Sequence, residues 1–216
     1  MNGREALDDG QFVADVSSDD TPVDGRAARA AKTRDAIADA LLDLLAAGQM
    51  TPTAKEIAER AGVSVRSVYV HFDDLEGLYC VAATRYFGRI APMLAPVAAE
   101  GSVEDRAYAL VRQRVRLYSQ SGAIGRATRL HAQSSPTLER IVRDGRSRSR
   151  TDLERVFARE LEPLANAERN RVVAMLDVLC GPEAWETLHL HHDLGLDSST
   201  ECLAEAIILH LSEAGT

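Results

Sequence analysis

The chain has 216 residues, of which 45% are hydrophobic and 5% aromatic, and its formal net charge is −8. A chain of this length holds one large domain or two modest ones. It has no run of about 18 apolar residues and no apolar segment near its acidic N-terminus, which excludes a transmembrane helix and a signal peptide. We therefore expect a cytoplasmic protein without a membrane partner.

The negative charge is concentrated at the N-terminus. Residues 1–25 contain seven acidic residues and one arginine, a net charge of −6, so the other 191 residues carry only −2. This segment is rich in Asp, Ser and Gly and has no hydrophobic periodicity, which predicts a disordered acidic tail. Alternatively, the tail is an interaction or autoinhibitory arm that binds the basic residues following it.

The first predicted helix spans about 29–47 and ends at Gly48. Four apolar residues at helical spacing form its inner face: Ile37, Leu41, Leu44 and Leu45. A basic cluster lies around its start and consists of Arg26, Arg29, Lys32 and Arg34. Because a tail holds most of the negative charge, the net charge of the whole chain is a poor guide to what this basic end binds.

The next stretch contains the signals of two short helices joined by a tight turn. Thr53 followed by Glu56 is a capping box, in which a hydroxyl and a carboxylate satisfy backbone N–H groups at a helix start. Gly62 stands where the chain must turn, because glycine enters positive φ without a Cβ clash. Ser64 then caps a second helix, Val65 to Phe72. This spacing predicts a helix-turn-helix unit.

The second helix of this unit has two chemically different faces. Val68 and Phe72 can pack back on the preceding helix, which leaves polar side chains outside. Such a helix lies in the major groove of DNA, where Arg can bind a guanine edge with two hydrogen bonds. The alternative is a pair of bundle helices with a solvated face. We predict DNA contacts by Arg29, Lys32, Thr53, Ser64, Val65, Arg66, Ser67, Tyr69 and His71.

Residues 29–87 resemble the DNA-binding domain of the TetR family of bacterial transcription regulators. The resemblance rests on the basic start of the first helix, on Ala61-Gly62-Val63-Ser64 at the turn, and on Tyr69-Val70-His71-Phe72. It implies a DNA-binding domain over 26–73, a homodimer, and an operator in double-stranded DNA as partner. The family often has a Lys at the start of the fourth helix that contacts a phosphate, whereas this chain has Asp73-Asp74-Leu75-Glu76.

The rest of the chain is predicted to be helical as well. The fourth helix is expected from about 74 to 91, and the later helical patterns cover 103–120, 123–134, 136–160, 166–180, 182–194 and 198–213. Gly122 is expected to stop one of these helices, and Ser198-Ser199 to cap the last. We therefore predict an all-α fold, in which a three-helix helix-turn-helix domain is joined to a larger helical ligand-binding and dimerisation domain over 74–216.

Two apolar stripes near the C-terminus are candidates for a dimer interface. DNA-binding proteins of this kind gain affinity by pairing two half-sites through a two-fold axis. The resemblance implies that the last two long helices of each subunit form a four-helix interface. The alternative is that both stripes pack inside one subunit. The predicted interface residues are Val172, Met175, Leu176, Leu179, Leu203, Ile207 and Leu211.

The resemblance also implies a small-molecule site among the C-terminal helices. Ligand binding there would release the regulator, a repressor, from its operator. Aromatic, soft and basic side chains are the candidates for an unidentified ligand, although each can equally be ordinary core or surface. They are Phe87, Met93, Tyr108, Arg112, Tyr118, His131 and Phe157.

One cluster near the C-terminus suggests a metal site instead: His189, His191, His192 and Asp193. Zinc needs three or four convergent ligands, and no second metal-binding motif accompanies this cluster. Three scattered cysteines are too few for a disulfide framework. We predict no metal, no cofactor and no catalytic residue. The alternatives are a metal-dependent hydrolase and a ligand-free, nucleoid-type DNA-binding protein.

Overall fold

A computed structural model describes residues 25–214. Within that range the chain forms ten α-helices and one 3₁₀ turn and no β-strand, which confirms the all-α prediction. The helices are α1 (Gly25–Ala46), α2 (Ala54–Ala61), α3 (Val65–His71), α4 (Leu75–Ile90), α5 (Val103–Ala132), α6 (Pro136–Val156), α7 (Ala158–Leu161), α8 (Asn166–Leu179), α9 (Pro182–His191) and α10 (Leu196–Ala214). The 3₁₀ turn is Ala91–Leu94. Except for Gly25, with which α1 begins, the predicted acidic tail lies outside the described residues.

The predicted break at Gly122 is wrong, because α5 passes through it as one helix of 30 residues. A Cβ atom at this position would lie 3.3 Å from Arg126 Nη1 and 3.4 Å from Trp185 Cζ3. Glycine therefore lets α9 approach α5 closely, and it is tolerated inside the helix because it serves packing there. None of the helices in the described range is both long and apolar enough to span a bilayer.

Other predicted helix ends also differ from the structure: α1 begins at Gly25 rather than near 29, and α9 ends at His191 rather than near 194. The pattern over 136–160 is divided at Phe157, whose φ of −106° and ψ of 25° separate α6 from α7. The last helix begins at Leu196, so Ser198 and Ser199 lie inside it and do not cap it. The backbone N–H of Ser199 already donates a helical hydrogen bond to the Gly195 carbonyl at 2.9 Å.

The buried side chains form two clusters. The first lies mainly among α1–α4 and includes Ile37 and Leu78, and the second lies among α5–α10 and includes Phe157. The first cluster also contains Ala127 of α5 and Leu138 of α6. The N-terminal helices are therefore packed directly on two of the C-terminal helices.

A buried ion pair ties α5 to α7. The Arg106 side chain keeps only 3% of its surface exposed, and its guanidinium contacts the Glu160 carboxylate at 2.5 and 2.9 Å. The same guanidinium donates to the Val156 carbonyl at 2.6 Å and lies 5.8 Å from the Phe157 ring centroid. The hydrogen bond from Arg106 holds the pKa of Glu160 below its ordinary value, although partial burial opposes the shift.

Glu160→Gln is expected to lower the free energy of unfolding by about 1–3 kcal/mol at neutral pH, because Arg106 then lacks a charged partner. The native pKa of Glu160 is lowered, so its contribution is complete above the ordinary value of 4.5 and is lost as pH falls through the native pKa. Urea unfolding from neutral to acidic pH measures both effects. Replacing the exposed Glu162 with Gln is the matched control. If the free energy of unfolding of Glu160→Gln stays below that of the unchanged protein at low pH, this assignment is contradicted.

Candidate nucleic-acid interface

The two short helices of the predicted helix-turn-helix unit have the caps that the sequence indicates. The Thr53 hydroxyl accepts from the Glu56 N–H at 3.3 Å, and the Glu56 carboxylate accepts from the Thr53 N–H at 2.7 Å. The Glu56 carboxylate accepts hydrogen bonds from the Thr53 backbone N–H and from the Thr53 hydroxyl, and these two bonds, the backbone one first, hold the pKa of Glu56 below its ordinary value. Gly62 ends α2 with a φ of 67°, and the Ser64 hydroxyl accepts from the Ser67 N–H at 3.1 Å.

The two faces of α3 have opposite environments. Val68 and Phe72 are 1% and 3% exposed, because both pack into the first buried cluster. On the other side, Tyr69 and Val70 are 52% and 70% exposed, and Arg66 is exposed beside them. This outer face offers a guanidinium that can donate to base edges and methyl groups that can contact thymine. Val70 belongs to it, although the sequence-based contact set omits this residue.

The predicted DNA-contact residues lie on this face and around it. Seven are exposed: Arg29, Lys32, Thr53, Ser64, Val65, Arg66 and Tyr69. Ser67 and His71 are half-buried, and the Ser67 hydroxyl lies 3.0 Å from the hydroxyl of Ser64. The Thr53 hydroxyl also donates to Glu56 at 2.7 Å, so the capping box uses it as both donor and acceptor.

Arg34 has a role that sequence analysis missed. It lies on α1, and its Nη1 donates to the carbonyl oxygen of His71, the last residue of α3, at 2.5 Å. Its guanidinium also lies 4.3 Å from the ring centroid of Phe72. The last carbonyls of a helix have no partner inside the helix, so Arg34 caps the C-terminal end of α3 from a neighbouring helix. No local motif in the sequence indicates this contact.

Ion pairs connect α1 to its neighbours. Arg85 of α4 contacts Asp35 at 2.8 Å and Asp39 at 3.0 Å, and Arg89 contacts Asp39 at 2.5 Å. Partial burial alone would raise the pKa of Asp39, but hydrogen bonds and charge from both arginines outweigh it and hold the pKa below its ordinary value. Arg60 of α2 pairs with α1 as well. The four N-terminal helices are thus joined by polar as well as apolar contacts.

The predicted ligand residues are not brought together in one cavity. Met93 and Arg112 line a surface cleft of about 540 Å³, whereas His131 lines a second cleft of about 340 Å³. Phe157 is fully buried, and the Tyr118 hydroxyl donates to the Cys180 carbonyl at 2.7 Å. Two others are half-buried elsewhere: Phe87 and Tyr108.

Most of the predicted dimer residues face the interior of the subunit. Five are buried in the second cluster: Val172, Leu176, Leu203, Ile207 and Leu211. Their side chains are not available to a partner in this conformation. Leu179 is half-buried, and Met175 is 45% exposed. On α8 and α10, two apolar side chains outside the predicted set are more exposed than Met175, namely Val178 of α8 at 63% and Leu209 of α10 at 60%.

The histidines near the C-terminus have separate surroundings. The His189 ring stacks on Trp185 with 5.0 Å between ring centroids, and its Nδ1 lies 3.1 Å from the Leu194 carbonyl oxygen. His191, His192 and Asp193 are exposed. Within residues 25–214, no group of three or more His, Cys, Asp or Glu side chains is arranged to hold a metal ion.

Comparison with known proteins gives a family match and a shared fold. Residues 37–79, which span α2, α3 and parts of α1 and α4, match the model of bacterial regulatory proteins of the tetR family. A transcriptional regulator from Rhodococcus sp. Rha1 is 22% identical, with a TM-score of 0.68 over 85% of this chain and 98% of that one. A TetR transcription regulator from Haloarcula marismortui is 15% identical, with a TM-score of 0.60 and the same coverage. No curated protein matches the chain in sequence.

Arg34→Gln is expected to speed amide hydrogen exchange at Phe72 by about fivefold, because losing one hydrogen bond of about 1 kcal/mol loosens the last turn of α3. The Phe72 N–H donates to the Val68 carbonyl at 2.9 Å, so its exchange reports opening of that turn. Arg29→Gln, another exposed arginine of α1, is the matched control. Equal exchange in both variants would show that Arg34 does not hold α3.

Proposed function

We propose that this chain, which belongs to the TetR family of DNA-binding transcriptional regulators, is a homodimeric repressor that a small molecule releases from its operator. The observation that carries the DNA-binding part is the outer face of α3. Arg66, Tyr69 and Val70 are exposed there, while Val68 and Phe72 anchor the helix from behind.

In this proposal α3 lies in the major groove and α1 contacts the backbone. Arg66, in the first turn of α3, donates to a base edge, and the methyl groups of Val70 contact a thymine methyl. Arg29 and Lys32, exposed near the start of α1, neutralise phosphates without reading sequence. The sequence of α3 supports this arrangement, because it contains no acidic residue that would repel DNA.

A second copy of the chain is proposed to pack on the outer faces of α8 and α10. Met175 and Val178 are one helical turn apart on α8, and Leu209 is the most exposed large apolar side chain of α10. α10 packs beside α8, so these side chains can form one apolar surface. Contiguous exposed apolar surface is typical of interaction sites, and a two-fold dimer would position two α3 helices for two half-sites.

Ligand control is proposed to act through the position of α4. The ion pairs of Arg85 and Arg89 bind α4 to α1, and the apolar face of α1 packs against α2 and α3. A shift of α4 would therefore move the whole N-terminal unit. Since half-sites must match the helical repeat of DNA, a ligand that binds better to a different spacing lowers operator affinity.

The full-length chain is expected to select a palindrome from a pool of random DNA duplexes. Its half-sites should lie about one helical turn apart, roughly 34–36 Å between centres, because each subunit inserts one α3. Sequencing the retained duplexes measures this, and sedimentation of the protein alone measures the dimer. Selection of asymmetric sites, or continuous coating of DNA, would contradict the proposal.

Arg66→Ala is expected to weaken operator binding by about 1–3 kcal/mol and to relax the preference at one base pair. Lys32→Ala is the contrasting variant. Loss of a phosphate contact weakens binding to all DNA sequences alike and makes the negative slope of log K against log salt shallower by about one. Gel shifts with operator and scrambled duplexes across a salt series separate the two effects. An Arg66→Ala protein with unaltered sequence preference would remove this residue from base recognition.

Replacing Met175 and Leu209 together with Asp is expected to give a folded monomer, because both side chains are exposed within one subunit and two charges would be buried in the dimer. The sedimentation coefficient of the protein and its affinity for the operator should both fall. Leu130→Asp changes a side chain that is also 45% exposed, on α5, and should leave a dimer. A dimeric double variant would place the interface on another surface.

A further inference from the structure

A cleft of about 340 Å³ lies where the N-terminal helices meet the C-terminal helices. One wall is formed by the Thr51–Thr53 loop before α2 and by Leu75 and Tyr79 at the start of α4. The opposite wall is formed by His131 at the end of α5 and Leu138 at the start of α6. This volume is in the range of sites for small organic molecules, and such a molecule would contact both halves of the protein.

The polar groups of the cleft are suited to a hydrogen-bond donor that carries positive charge. Glu76 contributes a carboxylate, and Tyr79 and Ser134 contribute hydroxyl groups. The described lining residues include no Lys or Arg. The ring nitrogen of His131 that lies 3.0 Å from the Met50 carbonyl oxygen must donate to it, because a carbonyl oxygen only accepts. The walls therefore favour a cation over an anion.

Tyr79 is the most informative residue of this cleft. Its side chain is 6% exposed, and its buried hydroxyl has no hydrogen-bond partner within residues 25–214. Buried polar groups are almost always paired, so an unpaired phenol at a cleft is a candidate contact for a bound molecule. The ring centroid of Tyr79 lies 3.9 Å from that of His131, which fixes the tyrosine ring against the far wall.

Glu76 supplies the negative charge of the cleft. It lies in the first turn of α4, where the helix dipole stabilises a carboxylate. One of its oxygens accepts a hydrogen bond from the Ser135 hydroxyl at 2.5 Å, which orients the carboxylate from the opposite wall. Its second oxygen does not take part in that bond and can accept from a ligand.

We propose that this cleft binds a small primary amine with an apolar body, and that its occupancy changes operator affinity. An ammonium group has three donors and no acceptor, which matches the carboxylate of Glu76 and the oxygens of Tyr79 and Ser134. The side chains of Leu75 and Leu138 would pack against the apolar body. This inference rests on the proposed ligand-controlled DNA binding, for which it supplies a site and a ligand class.

The position of the cleft explains how occupancy would reach the DNA-binding helices. Thr53, the N-cap of α2, belongs to one wall. Two hydrogen bonds cross between the walls, from Ser135 to Glu76 and from His131 to the Met50 carbonyl. A ligand that contacts both walls binds best at one particular spacing between them, so it shifts the equilibrium between arrangements of the two halves.

The test uses the full-length chain and three probes that share one ring: benzylammonium, benzyl alcohol and benzoate. In calorimetric titrations, benzylammonium is expected to bind about tenfold more tightly than benzyl alcohol, through one charge-assisted hydrogen bond, and benzoate is expected not to bind. Operator affinity should change at saturating benzylammonium. Equal binding of the amine and the alcohol would overturn the inference.

Three variants localise the site. Glu76→Gln should abolish the preference for benzylammonium over benzyl alcohol, whereas Glu162→Gln, an exposed carboxylate outside the cleft lining, should keep it. Tyr79→Phe should weaken amine binding without lowering the melting temperature of the free protein, because its hydroxyl has no partner within the described residues. A preference that survives Glu76→Gln, or a Tyr79→Phe protein that melts several degrees lower, would place the amine elsewhere.

Failure of this inference and failure of the proposed function give different results. A chain that selects a palindromic operator as a dimer, but binds benzylammonium no better than benzyl alcohol, lacks only the amine site. Glu76-dependent amine binding that leaves operator affinity unchanged would overturn the regulatory role of the cleft. A chain that selects no palindrome would contradict the proposed function itself, whichever probe it binds.

Discussion

The packing of two very short helices on α1 is the constraint on which the DNA-binding surface depends. α2 and α3 have eight and seven residues, and isolated helices shorter than about 12–15 residues are marginal in water. They are stable here because Ile57 and Val68 insert into a cluster built around the fully buried Ile37 and Leu41 of α1. The exposed face of α3 keeps its shape only as long as its buried face stays in that cluster.

Polar contacts affect the orientation of the N-terminal helices more than they affect their stability. Ion pairs that remain open to solvent contribute little free energy, so the exposed contact of Arg60 and the half-buried contacts of Arg85 with α1 act mainly as orientational restraints. Arg34 belongs to the same system, because it reaches from α1 to the carboxyl end of α3 and to Phe72. A basic residue near the DNA-binding surface can therefore hold the helices of that surface in place. Basic charge alone does not identify a residue that contacts phosphate.

The C-terminal helices combine a specific interior with an open exterior. Arg106 is buried only because Glu160 and a backbone carbonyl satisfy its guanidinium, and Gly122 lets Trp185 approach α5. Ala127 and Leu138 extend the N-terminal cluster into α5 and α6. Because the two halves share this core, a molecule bound beside it at the junction would alter contacts on both sides, as the proposed ligand control requires.

The local features of this protein could be predicted from the sequence alone. The capping box of Thr53 and Glu56, the turn at Gly62 and the cap at Ser64 were predicted correctly, because each depends on residues within one helical turn. The alternation of apolar and polar positions likewise identified the inner face of α3, with Val68 and Phe72 buried.

Contacts between segments that are distant in the chain could not be predicted from the sequence and became visible only in the folded structure. The bond between Arg34 and His71 joins residues 37 positions apart, and the role of Gly122 becomes visible only when α9 lies against α5. The apolar stripes near the C-terminus show the same limit. Leu176 and Val178 are similar in hydropathy, but the first is fully buried and the second 63% exposed. Periodicity shows that a helix has an apolar face, whereas the neighbouring helices determine whether that face is covered within the subunit or left for a partner.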